Sequence, residues 1–198
     1  MAKVIRYFAH PGARASRANR AMSEAAAAVD GVTHVDLYAE YPRYEINIDR
    51  EQARLIEHDV ILLQFPVFWY SCPALVKEWI DLTLEHGFAY GHEGDKLKGK
   101  TFMLAVTAGG PQDAYTPGGY QKHDLRTFLT PFEQTAGLCQ MRFPAPFVLY
   151  GALSAGPDAH AAGFVTLLEA LRDDRFDLDD ATARTVLTHD TLPLLEKA

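Results

Sequence analysis

The segment at residues 9–19 concentrates groups that could hold an anion. Its hydrogen-bond donors are His10, Arg14, Ser16, Arg17 and Asn19. They stand where a short apolar run gives way to a helical pattern, and a helix start offers free N–H groups and the positive end of its dipole. A phosphate or pyrophosphate could therefore bind here, although neither G-x-G-x-x-G nor G-x-x-x-x-G-K-[ST] is present. The alternative is an ordinary helix capped by Ser16, with His10 packed beneath the loop.

A second segment, residues 65–73, places large side chains where a loop that merely faced water would be polar. The five are Phe65, Val67, Phe68, Trp69 and Tyr70. Exposed aromatic residues in such a loop indicate a flat apolar ligand, a dimer contact, or both. The alternative is that these rings simply close the core.

A third segment, residues 107–111, contains two adjacent glycines after an apolar run. Gly109 and Gly110 would let the backbone approach a ligand closely, and their N–H groups could bond to the carbonyls of a ring system. Two glycines before a proline are also typical of an everyday turn. Side chains that could form a lid or face a substrate follow in the next loop, namely Tyr115, Tyr120 and His123.

The elements that must position these segments follow from hydrophobic periodicity. Short apolar runs predict strands at residues 4–8, 32–37, 60–65, 101–107 and 143–150. One-sided apolar spacing predicts helices at residues 18–29, 48–58, 125–136 and 164–171, and another that begins at Pro73. Ser16 should cap the first helix, Gly31 should end it, and Pro131 marks a kink or a late helix start. The prolines of the last strand place it at or near an edge.

Strands that alternate with helices predict an α/β fold with a parallel sheet covered on both faces. Five strands in roughly 150 residues favour the doubly wound order 2-1-3-4-5 over the longer six-stranded one. Ligands of such sheets bind beyond the carboxyl ends of the strands, where the three segments follow strands one, three and four. A phosphate site, an aromatic wall and a Gly-Gly edge would together contact a phosphate-bearing flat heterocycle. Flavin mononucleotide fits that description.

The composition narrows the classes of function. Of 198 residues, 48% are hydrophobic and 23% are charged, as in a globular domain. The 19 Lys and Arg against 26 Asp and Glu give a net charge of −7, which argues against nucleic acid as a partner. With no signal peptide and no apolar run near the roughly 20 residues that span a bilayer, we expect a soluble cytoplasmic protein. Cys72 and Cys139 are too few for a disulfide framework or a zinc site, and no metal is expected.

An ordered set of short motifs runs from about residue 4 to residue 150. It comprises Ala9-His10-Pro11, Ser16-x-x-Asn19, residues 38–48, Gln64-x-Pro66, Trp69-Tyr70-Ser71-x-Pro73, Lys77-x-Trp79-Ile80-Asp81, residues 87–91, residues 98–100 and Thr107-x-Gly109-Gly110. With these motifs the chain resembles the flavodoxin-like NAD(P)H:quinone oxidoreductases, in particular the ancillary oxidoreductases of bacterial glutathione-regulated potassium-efflux systems. The resemblance implies a flavodoxin-like flavin-binding domain over residues 1–171. Residues 172–198 would be an acidic tail that either packs as a short helix or reaches to a partner.

The resemblance also implies a site and an assembly. We expect FMN or FAD as cofactor, NAD(P)H as co-substrate, quinones as acceptors, and a homodimer. The residues expected to bind the flavin are His10, Ser16, Arg17, Ala18 and Asn19 at its phosphate, Val67, Phe68, Trp69 and Tyr70 along its ring, and Thr107, Ala108, Gly109 and Gly110 at its polar edge. Tyr115 and His123 are expected to be catalytic and to stabilise negative charge on the reduced ring.

The implied reaction is a two-electron hydride transfer from NAD(P)H to a quinone through one shared site, which predicts ping-pong kinetics. An alternative is a regulatory ancillary subunit that docks on and activates a membrane potassium-efflux transporter. That hypothesis would place the protein at the inner face of the cell membrane rather than free in the cytoplasm. A third hypothesis is a quinone or azo reductase without a protein partner.

Overall fold

Five parallel strands form a single sheet in the computed structural model, which describes residues 1–196. The strands are β1 (Val4–Phe8), β2 (Val32–Asp36), β3 (Val60–Pro66), β4 (Thr101–Thr107) and β5 (Phe147–Leu149). Their order, β2-β1-β3-β4-β5, confirms the predicted doubly wound fold. β3 and β4 are buried along their whole length, because helices cover both faces of the sheet.

Helices join and cover the strands. They are α1 (Arg17–Ala27), α2 (Leu37–Glu40), α3 (Ile48–Glu57), α4 (Ala74–Thr83), α5 (Thr130–Leu138), α6 (Asp158–Arg172) and α7 (Leu178–Ala183). Four of them begin at a side chain that accepts backbone N–H groups, namely Ser16, Asp36, Asn47 and Asp177. No helix within residues 1–196 is both long enough and apolar enough to cross a membrane.

Side-chain alternation along the strands divides the core into two layers. Ile5 and Tyr7 of β1 face the layer that contains Trp79 of α4. Val4 faces the opposite layer, which contains Met22 of α1 and residues of α6. The carboxyl ends of β1, β3 and β4 lie side by side at one edge of the sheet, so that the loops after them meet there.

A fully buried carboxylate, Glu51 of α3, joins three elements of the first layer. Its Oε1 accepts hydrogen bonds from the Tyr41 hydroxyl and from Arg54 Nη1, both at 2.6 Å. Its Oε2 accepts from Trp79 Nε1 at 3.0 Å. Both carboxylate oxygens therefore have donors, as a buried charge requires, and the group ties α3 to α4.

Two predicted boundaries near the start of the chain are wrong. Leu37 begins α2 rather than ending β2, because the Asp36 side chain accepts two N–H groups of the following turn, at 3.0 and 3.2 Å. α1 ends at Ala27, so Gly31 does not terminate it. Gly31 instead lies in the turn before β2 with φ of 76°, a conformation that favours glycine.

The fifth strand is shorter than predicted. β5 covers only Phe147–Leu149, because Pro144 and Pro146 lack the N–H that a strand ladder needs. Its predicted position at an edge of the sheet is confirmed. Pro131 stands in the first turn of α5, after a 3₁₀ turn, so the predicted late helix start is also confirmed.

Much of the segment at residues 172–196 packs against the second layer of the core, and the last two residues of the predicted tail lie outside the described residues. Phe176 and Leu187 are buried there, and part of the segment forms α7. The Leu187 N–H donates to the Pro146 carbonyl at 2.8 Å, and the Leu187 carbonyl accepts from the Val148 N–H at 2.8 Å. The segment therefore runs along the outer side of β5.

Candidate functional site

A cavity of about 680 Å³ opens at the carboxyl ends of β1, β3 and β4, and we call it the strand-end cavity. Its volume lies within the range of small-molecule sites. It is lined by His10, Gly12, Ala15, Ser16, Arg17, Ala18, Asn19, Pro66, Val67, Phe68, Thr107, Gly109, Ala152 and Leu153. The three segments singled out from sequence therefore do meet at one place.

One end of the cavity is the start of α1. Ser16 has extended backbone angles and its Oγ accepts a hydrogen bond from the Asn19 N–H at 3.2 Å. The N–H groups of Arg17 and Ala18 precede the first intrahelical bonds and remain available to a ligand. This end of the cavity can bind an anion, because several donors and the helix dipole converge on it.

His10 supplies a further donor beside this helix start. Its Nδ1 accepts a hydrogen bond from the Gly12 N–H at 3.0 Å. Burial lowers the pKa of His10, so that the ring is neutral at physiological pH. A neutral ring that accepts at Nδ1 carries its proton on Nε2, which can then donate to an anion. The ring stands edge-on to Phe68 at 5.6 Å between centroids, which holds its orientation.

Asn19 presents an unused polar atom. Its side chain is 2% exposed, and its Nδ2 donates to Thr107 Oγ1 at 2.7 Å, while Oδ1 has no partner within residues 1–196. The Asn19 amide could also be rotated by half a turn, since the Thr107 hydroxyl can donate as well as accept. Oδ1 would then accept from Thr107, and Nδ2 would be the atom without a partner. Either way one buried polar atom of Asn19 is available, and buried polar atoms are normally satisfied. A ligand with polar groups at this end of the cavity would satisfy it.

The opposite wall is apolar. Pro66, Val67 and Phe68 extend from the end of β3, and Leu153 lies across the opening in the loop after β5. Leu153 is 87% exposed, so a ligand in the cavity could bury its side chain. A donor-rich end and an apolar wall in one cavity fit a phosphate-bearing aromatic ring system such as a flavin.

Trp69 and Tyr70 form a tight turn at the rim of the cavity rather than its lining. Phe68 and Ser71 exchange two backbone hydrogen bonds, of 2.9 and 3.0 Å, across that turn. The φ angles of Trp69 and Tyr70 are 48° and 65°, in a region that aromatic residues rarely adopt. Trp69 is 93% exposed as a result. A strained turn that holds a bare indole in solvent is typical of a binding surface.

The segment after β4 is only partly available to a ligand. The backbone of Ala108 is fully used, since its N–H donates to Leu149 at 2.8 Å and its carbonyl accepts from Ala152 at 2.9 Å. A Cβ on Gly110 would meet the Tyr120 hydroxyl at 2.6 Å, so this glycine makes room for a tyrosine rather than for the cavity. Gly109 alone of the glycine pair lines the cavity.

Tyr115 and His123 gather around Phe128 outside the lining of the strand-end cavity. The ring centroids of Tyr115 and His123 lie 6.3 and 5.9 Å from that of Phe128, and Tyr70 packs on it at 4.9 Å. Burial raises the pKa of Tyr115, against a smaller opposing effect of a hydrogen bond with the Gly110 backbone. The phenol therefore stays protonated and can donate. His123 is exposed.

Sequence reasoning missed part of the site. Phe128 lies within the helix predicted at residues 125–136, and the sequence pattern gives no sign of its contacts with the rings of Tyr70, Tyr115 and His123. Ala152 and Leu153 are absent from the predicted site, whose flavin-binding residues come only from the segments after strands one, three and four. The signal was available, since the loop after a fifth parallel strand must open at the same edge of the sheet as the others. Within residues 1–196, no three His, Cys, Asp or Glu side chains are placed to share a metal ion.

Comparison with known proteins bears on this site. The chain matches the family described as "Flavodoxin-like fold" over residues 2–174. It is 46% identical over 151 residues, 76% of this chain and 82% of the relative, to the glutathione-regulated potassium-efflux system ancillary protein KefG of Cronobacter sakazakii.

Solved structures that share the fold include the following two. One is general stress protein 14 of Treponema denticola in complex with FMN, with 33% identity, a TM-score of 0.80, and coverage of 85% of this chain and 99% of that one. The other is a NADPH-quinone reductase from P. pentosaceus, with 28% identity, a TM-score of 0.75, and coverage of 85% and 96%.

Proposed function

The chain belongs to the flavodoxin-like family, and we propose that it is a flavin-dependent NAD(P)H:quinone oxidoreductase with FMN in the strand-end cavity. The observation that carries the proposal is the meeting of an anion-binding helix start and an apolar wall in that one cavity. An FMN complex and a NADPH-quinone reductase among the similar structures support it.

The phosphate end would be held by neutral and backbone donors. The donors are His10 Nε2 and the N–H groups of Arg17 and Ala18, and all three residues line the cavity. Asn19 would add its Nδ2 as a donor in the reversed amide, in which the Thr107 hydroxyl donates to Oδ1. These groups are fixed before a ligand arrives, since Ser16 caps the helix and Thr107 holds the Asn19 amide. Such a site loses little conformational freedom on binding.

The ring end would be held by apolar contact and a few donors. Val67, Phe68 and Leu153 would cover an isoalloxazine and exclude water, and the Gly109 N–H could donate to its polar edge. A bound flavin would supply the two-electron hydride chemistry, with a nicotinamide and a quinone using the same face in turn. Tyr115, protonated because of its raised pKa, and His123 would donate toward negative charge at the ring. Both pack on Phe128, which also contacts Tyr70 of the turn beside the cavity.

A homodimer would complete the site. Trp69 stands in solvent next to Phe68 and Tyr70, which are 43% and 48% exposed, and these rings form an apolar surface beside the cavity mouth. A second copy of the chain placed there would bury them and shield the flavin ring.

Absorbance and mass analysis of the purified protein would test the proposal. We expect a yellow protein that releases FMN on heating, and an apoprotein that rebinds one FMN per chain and oxidises NAD(P)H when a quinone is present. Replacing Asn19 by Leu should weaken FMN by about tenfold or more, since the change removes the spare polar atom and the bond to Thr107. Replacing Arg20, which is exposed one position later on α1, by Leu is the matched control. An apoprotein that binds no flavin would overturn the assignment.

A regulatory role is a second candidate, favoured by the 46% identity to an ancillary protein of a potassium-efflux system. The protein would then act at the cytoplasmic face of the membrane by binding a transporter. Co-purification of the whole chain with a membrane potassium-efflux protein, in flavin-loaded and flavin-free forms, would test this role. Deletion after Leu171 is unsuitable as a test, because it would remove Phe176 and Leu187 from the core. Failure of both forms to co-purify would contradict the regulatory role and leave the enzymatic one standing.

A further inference from the structure

A charged residue of the sheet lies beneath α1. Arg6, in the middle of β1, is 3% exposed. Its Nε donates to His34 Nδ1 at 3.1 Å, and its Nη1 donates to Gln64 Oε1 at 2.7 Å and to Ser23 Oγ at 3.1 Å. The guanidinium also lies over the Phe8 ring at 5.7 Å. Phe8, Gln64 and Ser23 carry no charge, and the surroundings of His34 keep its ring neutral.

The charge of Arg6 is therefore not neutralised by a direct partner. His34 is neutral, because burial and the nearby Arg6 both lower its pKa. Burial lowers the pKa of Arg6 to about 10, so that it keeps its charge at neutral pH. None of the ion pairs formed within residues 1–196 includes Arg6, and the carboxylate that acts on it, Asp36, does so only at a distance. A buried cation without a counter-ion is unfavourable, so the fold keeps a site that an anion would stabilise.

Gln64 connects this cation to the strand-end cavity. Its Oε1 is fixed by Arg6, which orients its Nε2 toward the backbone carbonyl of Asn19 at 3.2 Å. The same Asn19 bonds to Ser16 through its N–H and to Thr107 through its side chain. A continuous path of hydrogen bonds thus runs from the buried guanidinium to the residues at the anion-binding end of the cavity.

We infer that Arg6 is a positioning residue that, through Gln64, holds the anion-binding end of the cavity and makes it prefer a phosphate-bearing ligand to the same ligand without phosphate. The inference rests on the proposed flavin site, and it deepens that proposal by assigning the phosphate preference to one buried side chain. Removing the guanidinium should weaken binding of the phosphate end and leave the contacts of the apolar wall unchanged. The ratio of the two affinities therefore measures the role of Arg6.

Affinities of the apoprotein for FMN and for riboflavin, measured by quenching of flavin fluorescence, would test the inference. Replacing Arg6 by Met keeps the length of the side chain and removes its charge. We expect about tenfold weaker FMN and less than about twofold weaker riboflavin, because the phosphate end would lose its positioning and the apolar wall would not. Arg6→Lys should recover much of the FMN affinity. Arg20→Met, which removes one charge from the exposed face of α1, should leave the ratio unchanged.

A second variant covers the case in which Arg6→Met does not fold. Gln64→Glu replaces the amide partner of Arg6 by a carboxylate, which would neutralise the guanidinium without removing it. The variant should therefore show a lower preference for FMN over riboflavin. Equal losses for both flavins, or no loss of either, would overturn the inference and leave the flavin proposal intact. If the wild-type protein binds neither flavin, the flavin proposal fails, and inorganic phosphate decides the role of Arg6. Phosphate should then raise the Tm of the wild type but not that of Arg6→Met. If phosphate does not raise the Tm of the wild type, the inference about Arg6 fails as well.

Discussion

His160, in the first turn of α6, should make the stability of the protein depend on pH. Its ring stacks on Phe147 with centroids 4.2 Å apart, its side chain is 4% exposed, and its Nε2 has no partner within residues 1–196. Burial, with a smaller effect of His189, lowers its pKa to about 3, against 6.5 for a free histidine. The folded state thus binds fewer protons than the unfolded state between these two values, and its stability falls as the pH falls through that window. Each pH unit below about 6.5 should cost about 1.4 kcal/mol, for a total on the order of 4–5 kcal/mol.

Urea unfolding from neutral pH down to about pH 4.5 would measure the effect, which should reach roughly 2–3 kcal/mol at the acid end. His160→Phe keeps the stacking and cannot be protonated, so its free energy of unfolding should fall less steeply than that of the wild type by about 1.4 kcal/mol per pH unit. His92→Phe, at an exposed histidine, is the matched control and should show the wild-type slope. Equal slopes for the wild type and His160→Phe would refute the reasoning.

Three further changes should act through single contacts. Glu51→Ala removes a fully buried carboxylate and leaves its three donors without an acceptor. We expect the free energy of unfolding in urea to fall by about 3–5 kcal/mol, and by less than about 0.5 kcal/mol for Glu24→Ala on the exposed face of α1. Equal losses for the two variants would contradict this. Gly94→Ala would press a Cβ against the Tyr90 carbonyl oxygen and should lower the Tm sharply. Gly118→Ala, where no atom of residues 1–196 lies within 4 Å of the added Cβ, should not, and similar Tm values would count against the packing described. Ser16→Ala removes the cap of α1 and should lower the free energy of unfolding by about 1 kcal/mol, and faster amide exchange confined to the first turn of that helix would identify the cause.

The sheet could be predicted from sequence because its signals are local and strong. The run at residues 60–65 is apolar at every position except Gln64, which is typical of a strand buried on both faces, and β3 lies there. The boundaries that differ depend on single residues that end or shorten a strand despite its apolar pattern. Asp36 turns the chain into a helix at Leu37, and Pro146 removes a donor that the predicted fifth strand would need.

The site could be predicted as a set of segments and not as a set of contacts. The position of Ser16 before the apolar spacing of the first helix predicted a capped helix start, which the structure has. The sequence could not show that Trp69 and Tyr70 would take left-handed backbone angles and turn outward, because that depends on the two bonds between Phe68 and Ser71. Nor could it show the path from Arg6 to Asn19, since pairing between residues far apart in the chain depends on the strand register.

The segment around Leu187 has a consequence for the handling of this protein. An outermost strand is a row of unpaired backbone groups, which invites another chain to add on. Here Leu187 pairs with the Val148 amide and the Pro146 carbonyl, so that this part of the outer side of β5 is already occupied. Shortened forms that stop at α6 would therefore aggregate through that bared strand, even where the ligand-binding end of the sheet is untouched.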